Sequence, residues 1–233
     1  MAIGTYGFSG TVAHAGADER SLFIKRTYLH LAGAIGLFAL LVAALLNASF
    51  TPRLMELMVG SRYSWLVVLG LFMFVGHVAN RWAMSGGSLS RQYMGLGLYI
   101  VAEAIIFVPL LFMASLVAGP ATIVNAAVMT GALFVGLTGT VFITRQDFSF
   151  MRAGLSIAGF VALGLIVASI LFGFTLGLVF SLLMVGFAGG YILYYTSQVM
   201  NHYRTDQHVA AALALFAAVA LMFWYVVRIF SRR

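Results

Sequence analysis

One acidic residue, Glu103, lies in the middle of a long apolar stretch. Between Tyr93 and Tyr203 the chain has only three other charged residues, and all three fall in one short segment. A charge at mid-membrane costs roughly 2.5–3.5 kcal/mol on insertion scales, so an acid there is seldom incidental. Glu103 is therefore either a protonatable group or cation ligand facing a central cavity, or a neutral carboxyl that hydrogen-bonds a neighbouring helix. Pro109 frees backbone carbonyls nearby and could help to form a polar pocket.

A second group of polar residues, His77, Asn80 and Arg81, ends the apolar stretch that precedes Glu103. One interpretation is a polar cluster in which His77 and Arg81 pair with Glu103 or with lipid phosphate. The other is a cap at the membrane interface, with Trp82 as a belt aromatic, and the composition favours this second interpretation.

The remaining candidates for chemistry are few. His30 could ligate haem or chlorophyll, but no second histidine occupies a convincing partner position. The absence of cysteine excludes disulfides, thiolate metal sites and a cysteine nucleophile. The sequence also shows no nucleotide-binding loop, metalloprotease pair or serine elbow. We therefore expect no enzymatic activity, no cofactor and no metal site.

The composition places these residues in a membrane. Hydrophobic residues make up 63% of the 233 residues and charged residues only 8%, with a mean hydropathy of +1.04. Soluble domains have about a quarter of their residues charged, and this chain has too little charge to cover a soluble surface. The net charge of +7 is a topology signal rather than a nucleic-acid footprint. The predicted partner is the lipid bilayer, and no nucleic acid is expected.

Seven apolar stretches approach the roughly 20 residues that a helix needs to cross the hydrocarbon core. They cover approximately 27–49, 65–84, 93–117, 121–143, 153–173, 176–200 and 208–230. The predicted fold is thus all-α, a polytopic bundle of seven transmembrane helices. The predicted organisation is an N-terminal arm (1–26), a transmembrane domain (27–230) and a basic tail (231–233). The glycine spacing at 131–139 and 154–164 predicts close packing of spans four and five.

The orientation follows from the distribution of lysine and arginine. With seven spans, the arm and every second loop share one side, which has eight of the 13 basic residues: Arg20, Lys25, Arg26, Arg81, Arg91, Arg145, Arg152 and Arg204. Because cytoplasmic loops are enriched in these residues, the count favours a cytoplasmic arm. A re-entrant last helix would explain the arginines at the C-terminus, by returning them to the cytoplasm.

The segment 143–152, ITRQDFSFMR, is a polar loop between two spans. Together with the preceding small-residue helix it resembles the Bax inhibitor family, in its bacterial permease-like branch, as do GGYILYYTSQVM from Gly189 and the final helix from Ala211. The family's Thr-basic-x-Asp-Phe-Ser-Phe pattern is matched by Thr144, Arg145, Asp147, Phe148, Ser149 and Phe150.

This resemblance implies six helices around a central hydrophobic one and, in the best-described members, a pH-sensitive cation leak, usually for calcium. The family's gate is a pair of aspartates, one in span six and one in the last helix. The first falls on Tyr195 here and the second on Ala218. Neither side chain can share a proton as a carboxylate does, so the aspartate latch is lost.

Two functions follow as hypotheses. The favoured one is a non-enzymatic regulator or accessory subunit of a larger membrane complex, for instance a modulator of a membrane-anchored ATP-dependent protease. The alternative is a calcium or proton leak in which Glu103 replaces the aspartate pair. The expected location is a bacterial inner membrane. We also expect Asp147 to cap the start of span five, where a carboxylate suits the helix N-terminus.

Overall fold

The computed structural model describes residues 10–85 and 88–232, with the backbone alone at Arg62. This part of the chain is all-α. A short 3₁₀ turn at Val12–His14 precedes eight α-helices: α1 (Ala17–Leu46), α2 (Thr51–Val59), α3 (Arg62–Ala83), α4 (Leu89–Ala118), α5 (Ala121–Thr144), α6 (Met151–Phe172), α7 (Leu178–Asn201) and α8 (His208–Phe230).

Seven of these helices are long and apolar enough to cross a membrane, which confirms the seven predicted spans. The eighth, α2, was not predicted. It has only nine residues, with Pro52 in its first turn, and its Leu57 side chain is exposed. A helix of this length is too short to give a spanning signal, and it lies in the connection between the first two spans.

The first span begins ten residues earlier than predicted, at Ala17. Asp18 and Glu19 occupy the first turn of α1, where carboxylates favour the positive end of the helix dipole. The helix is 30 residues long, about 45 Å at 1.5 Å per residue, and so exceeds the roughly 30 Å hydrocarbon core. The charged part of the predicted arm is therefore the first turns of α1.

The residues before α1 lie against the connection between α7 and α8. Val12 is fully buried, its backbone N–H donates to the carbonyl of Tyr203 at 2.9 Å, and Thr11 forms an antiparallel bridge with Arg204. Residues 1–9 of the predicted arm and Arg233 of the predicted tail lie outside the described part of the chain.

The last helix, α8, is the centre of the bundle. In its most apolar stretch of 18 residues, 72% of the residues are buried, the highest share among the seven spans. It packs against α1, α3, α4, α5 and α7. Its small residues Ala210, Ala211 and Ala212 are almost completely buried. Small side chains allow close approach where lipid gives no hydrophobic drive for association. The resemblance implies six spans around a central one; in the described part of the chain five of the six pack on α8, and α6 packs on α3 and α7.

The prediction of a re-entrant last helix is wrong, because α8 is one continuous helix. Its first residues lie near the arm, whereas the Arg232 guanidinium beyond its end donates to the carbonyl of Leu176, in the α6–α7 connection. We call the side that has the start of α1 and the α3–α4, α5–α6 and α7–α8 connections the arm side. The opposite side, with α2 and the end of α8, is the far side.

Among the described glycines, Gly95 approaches a neighbouring helix most closely, and it is not one of the predicted glycines. A Cβ on Gly95 of α4 would lie 2.5 Å from the carbonyl oxygen of Ala79 and 2.7 Å from the nitrogen of Ala83, both on α3. No atom lies within 4 Å of a Cβ built on the glycines of α5, and on α6 only Gly159 has such a neighbour, at 3.4 Å in the side chain of Phe187. Within the described residues, α5 and α6 each pack on α7 instead of on one another. The predicted close packing of spans four and five is therefore wrong.

Replacing Gly95 tests this contact. We expect Gly95→Ala to lower the free energy of unfolding by about 1–3 kcal/mol, because the added methyl group collides with rigid backbone atoms. Gly97→Ala is the matched control, since no atom lies within 4 Å of the new Cβ. It should leave stability unchanged or raise it by up to about 1 kcal/mol through helix propensity. Thermal unfolding in detergent measures both variants, and equal melting temperatures would contradict the prediction.

Candidate functional site

A cavity of about 500 Å³ lies in the far-side half of the bundle, between α3, α4, α6 and α8. We call it the far-side cavity. Its walls are mainly aromatic and aliphatic, with a few polar groups: Trp65, Leu69, Phe72, Glu103, Ile106, Phe107, Ile166, Ser169, Ile170, Phe174, Thr175, Leu176, Leu221, Trp224, Tyr225, Arg228 and Arg232. A concave, largely apolar site with a few polar groups is typical of a small-molecule or ion site.

Glu103 lies near the middle of α4 and is 6% exposed, at the inner part of this cavity. One of its carboxylate oxygens, Oε2, is buried and has no hydrogen-bond partner among the described residues. Tyr99, one turn towards the arm side on the same helix, interacts with the carboxyl. Glu103 therefore lies in the wall of this cavity, which is the position that the first of its two interpretations requires.

The opening of the far-side cavity is positively charged. Arg228 is half-buried, with its guanidinium 5.8 Å from the ring centre of Tyr225. Arg232 binds the carbonyl oxygen of Leu176 through Nη2 at 2.7 Å. Apart from Glu103, no carboxylate lines this cavity in the described part of the chain. The cavity therefore has two arginines near its opening and one acid, Glu103, further inside.

His77 and Arg81, the proposed partners of Glu103, are both exposed on α3, and neither lines the far-side cavity. Arg81 lies in the last turn of α3, where a cation suits the negative end of the helix dipole. Trp82 is 39% exposed. The structure does not bring these residues together with Glu103, and their exposure suits an interface position.

His30 does have a histidine neighbour, which the sequence did not indicate. Its Nδ1 donates to the carbonyl of Arg26 at 2.6 Å, and its Nε2 is 2.8 Å from the hydroxyl of Tyr93. Its ring centre lies 5.0 Å from that of His208. Across the residues that the structure describes, no group of three or more histidine, aspartate or glutamate side chains could hold a metal ion.

A second cavity, of about 340 Å³, occupies the other half of the bundle, and we call it the arm-side cavity. It is lined by Asn80, Met84, Arg152, Leu155, Ser156, Tyr191, Tyr194, Tyr195, Tyr203 and Ala214. Tyr195, at one of the two gate positions, is part of this wall. Ala218, at the other, is 3% exposed in the core and does not line this cavity.

The segment 145–150 between α5 and α6 is fastened to the end of α7. Ser197 Oγ accepts from the backbone N–H of Phe148 at 2.9 Å and donates to Asp147 Oδ1 at 3.0 Å. The other oxygen of Asp147 lies 2.8 Å from His202 Nε2. Ser149 N–H donates to Oδ1 at 2.9 Å. We call these five residues the loop latch.

The comparisons with known proteins agree with this arrangement. A family model described as "Inhibitor of apoptosis-promoting Bax1" matches residues 20–233. The chain belongs to the Bax inhibitor family. An uncharacterized membrane protein of Vibrio cholerae is 27% identical over 215 residues, which cover 88% of this chain and 86% of that protein. An uncharacterized protein of Pseudomonas aeruginosa is 32% identical over 114 residues, 48% of this chain. The match spans about half, 51%, of the Pseudomonas protein.

In this Bax inhibitor family member, Asp147 is the centre of the latch and not a helix cap. The residue before α6 is Phe150, and no side chain caps the helix there. The predicted cap is wrong because the carboxylate of Asp147 turns to α7 instead. Partial burial opposes ionisation of this carboxyl, but hydrogen bonds from His202, Ser149 and Ser197 outweigh it and lower its pKa from 3.8 to about 2.

The depressed pKa of Asp147 gives a pH test of the latch. The ionised Asp147 carboxylate accepts stronger hydrogen bonds than the protonated form. Its contribution to the free energy of unfolding is therefore complete above about pH 4 and is lost as the pH falls towards 2. Asp147 and His202 are each 45% exposed, so we expect about 1 kcal/mol or less. Melting temperatures from pH 6 to pH 2 should fall less steeply below pH 4 in Asp147→Asn than in wild type. Asp18→Asn, which changes an exposed acid on α1, should keep the wild-type slope. A wild-type slope in Asp147→Asn would contradict the assignment.

Proposed function

We propose that this protein lets protons or other cations cross the membrane, without enzymatic catalysis, by way of the far-side cavity. One observation carries the proposal: Glu103 is buried at mid-helix, lines a cavity of about 500 Å³, and has one carboxylate oxygen with no hydrogen-bond partner among the described residues. An ionised carboxylate in a low-dielectric interior is costly unless a proton or a cation compensates it. Glu103 is thus a binding group for a positive species that enters from the cavity.

The side from which that species enters follows from the proposed orientation. Eight of the 13 basic residues lie on the arm side, which favours a cytoplasmic arm. The Vibrio and Pseudomonas relatives support a bacterial setting. In a bacterial inner membrane the far-side cavity would then face the periplasm. Aromatic residues of α3, α4 and α8 pack together between the two ends of the bundle, at Phe72, Tyr99 and Phe216, so a hydrated cation would need the helices to move apart there.

Flux measurements in proteoliposomes test the proposal. We expect the purified protein to dissipate an imposed pH or calcium gradient, and Glu103→Gln to reduce that flux at least tenfold, because the neutral amide cannot exchange a proton. Glu56→Gln is the matched control, since it makes the same chemical change on α2, where the side chain is exposed. It should stay within twofold of wild type. The proposal fails if wild type shows no flux at any pH, or if Glu103→Gln conducts normally.

A second function is supported by a different observation. The two positions expected to form the gate, Tyr195 and Ala218, have no carboxyl group. The loop latch holds the α5–α6 connection in place on the arm side, and Phe150 and Ile143 beside it are 77% and 84% exposed. This surface supports a non-enzymatic regulator or accessory subunit of a larger membrane complex, such as a membrane-anchored ATP-dependent protease. In this role the loop would be a docking surface.

Affinity purification from native membranes tests the second function. We expect a stoichiometric partner with wild type and a several-fold lower yield of that partner with Asp147→Ala, because the loop loses its anchor on α7. Proteoliposome flux should change less than partner recovery. Asp18→Asn controls for loss of an acid on the same side. Normal expression and normal partner recovery in Asp147→Ala would refute a docking role for the loop.

A further inference from the structure

The wall of the arm-side cavity consists mainly of residues that can donate hydrogen bonds. Its described residues include one arginine, one asparagine, one serine and four tyrosines, and none of them is acidic. Guanidinium, amide and hydroxyl groups all have N–H or O–H donors, and a guanidinium accepts no hydrogen bond. The cavity therefore has one positive charge, several donors and no negative charge, which suits an anion.

Close packing of α6 on α7 brings these groups together. A Cβ on Gly190 of α7 would lie 2.9 Å from Leu155 Cδ2 and 3.3 Å from Met151 Cε, both in the first turns of α6. The start of α6 therefore lies against the part of α7 that contains three of the tyrosines. Arg152 and Ser156 belong to the same turns of α6 and line the cavity. Ser156 Oγ already donates to the carbonyl of Arg152 at 2.9 Å.

The other donors of the cavity wall are unused. Six of its side chains make no hydrogen bond to another described residue: Asn80, Arg152, Tyr191, Tyr194, Tyr195 and Tyr203. Arg152 also forms no ion pair within the described part of the chain. Arginine stays charged at any physiological pH, and its planar guanidinium binds oxyanions through two parallel N–H···O bonds.

The tyrosine rings are not arranged to hold a cation. The rings of Tyr191 and Tyr195 are stacked, with centres 5.6 Å apart and planes at 16°, and Tyr194 meets Tyr195 at 63° with centres 5.1 Å apart. An aromatic cage needs ring faces turned towards the cation, whereas these rings contact one another. Arg152 would also repel a cation in this cavity.

The cavity lies at the arm-side ends of the helices. Asn80 is in the last turn of α3, Arg152 is in the first turn of α6, and Tyr203 is in the α7–α8 connection. Asn80 and Arg152 are both exposed, so the cavity opens where these ends of α3 and α6 reach the surface. Its volume of about 340 Å³ is within the roughly 300–1,000 Å³ of small-molecule sites. Spans that cross a bilayer have such ends near the lipid headgroups.

We infer that the arm-side cavity binds a phosphate group, with Arg152 providing the charge and with Asn80 and the tyrosine hydroxyls donating hydrogen bonds. The wall has more donors than the two oxygens of a carboxylate accept, whereas a phosphate group has three strongly accepting oxygens. The phosphate belongs to a lipid headgroup or to a soluble phosphate compound, since both present the same oxyanion. This site is separate from the proposed conduction, which uses Glu103 and the far-side cavity.

Isothermal titration calorimetry of the purified full chain in an uncharged detergent tests this site. The probes are inorganic phosphate, a short-chain phosphatidylglycerol, the matching diacylglycerol without phosphate, and choline chloride. We expect the phosphate-containing probes to bind and Arg152→Gln to weaken their binding at least tenfold, because the charged fork is lost. Arg145→Gln is the matched control, since Arg145 is an exposed arginine of the α5–α6 connection that does not line the cavity. It should stay within twofold of wild type.

Single hydroxyl deletions test the site without changing its charge. We expect Tyr194→Phe and Tyr195→Phe each to weaken phosphate binding several-fold, because each keeps its ring and loses one donor. Tyr225→Phe, in the wall of the far-side cavity, should stay within twofold. Monodispersity and the melting temperature without ligand show that each variant folds.

The probes also identify the source of the phosphate group. Binding of phosphatidylglycerol alone, lost in Arg152→Gln, supports the site and assigns it to lipid headgroups, whereas binding of inorganic phosphate alone assigns it to soluble compounds. Binding of both supports a site for either source. The inference is overturned if neither probe binds, if Arg152→Gln binds them as wild type does, or if diacylglycerol binds as tightly as phosphatidylglycerol. Binding of choline in place of phosphate would overturn it as well.

Discussion

The fold depends on one constraint of the bilayer, which provides no hydrogen-bonding partner for a polar group. Each spanning segment must therefore satisfy its backbone within a helix, and its polar side chains must face other protein or a cavity. The central position of α8 agrees with this constraint. Five other spans pack on α8, and its small residues let them approach closely, where lipid alone would give no drive for association. The same constraint places Glu103, Tyr99 and Tyr195 inside the bundle, and it places Ile143, Phe150 and the outer faces of the spans where lipid or a partner meets them.

The two halves of the bundle interior differ in the residues that line their cavities. The far-side half combines aromatic walls with a buried acid and positively charged residues at its opening. The arm-side cavity has four tyrosines in its wall, and side-chain hydrogen bonds hold the nearby α5–α6 connection. Polar groups are therefore present in both halves of the interior, at Glu103 in the far-side cavity and at the tyrosines of the arm-side cavity.

Much of this architecture is readable from the sequence, and the limits are physical. The spans are predictable because crossing a membrane demands long apolar helices, and Glu103 is conspicuous because an acid there is costly. The contacts between distant parts of the chain are not predictable in this way. Asp147 reaches residues 50 and 55 positions away, and local capping rules pointed it to the wrong helix. The His30–His208 contact, and the packing of α5 and α6 on α7, depend on how the helices are arranged around α8. The cavity around Glu103 needs walls from three other segments, whose own patterns resemble ordinary lipid-facing helices.

The short connection between α7 and α8 is held from two directions. On one face Val12 and Thr11 bind the backbone at Tyr203 and Arg204, and on the other Asp147 binds His202. This connection leads directly into the central helix, so α8 cannot slide or rotate at its arm-side end without breaking one of these attachments. The N-terminal segment and the α5–α6 connection are thus both attached to the start of the central helix. A partner protein that displaced either segment would also displace Tyr203, which lines the arm-side cavity.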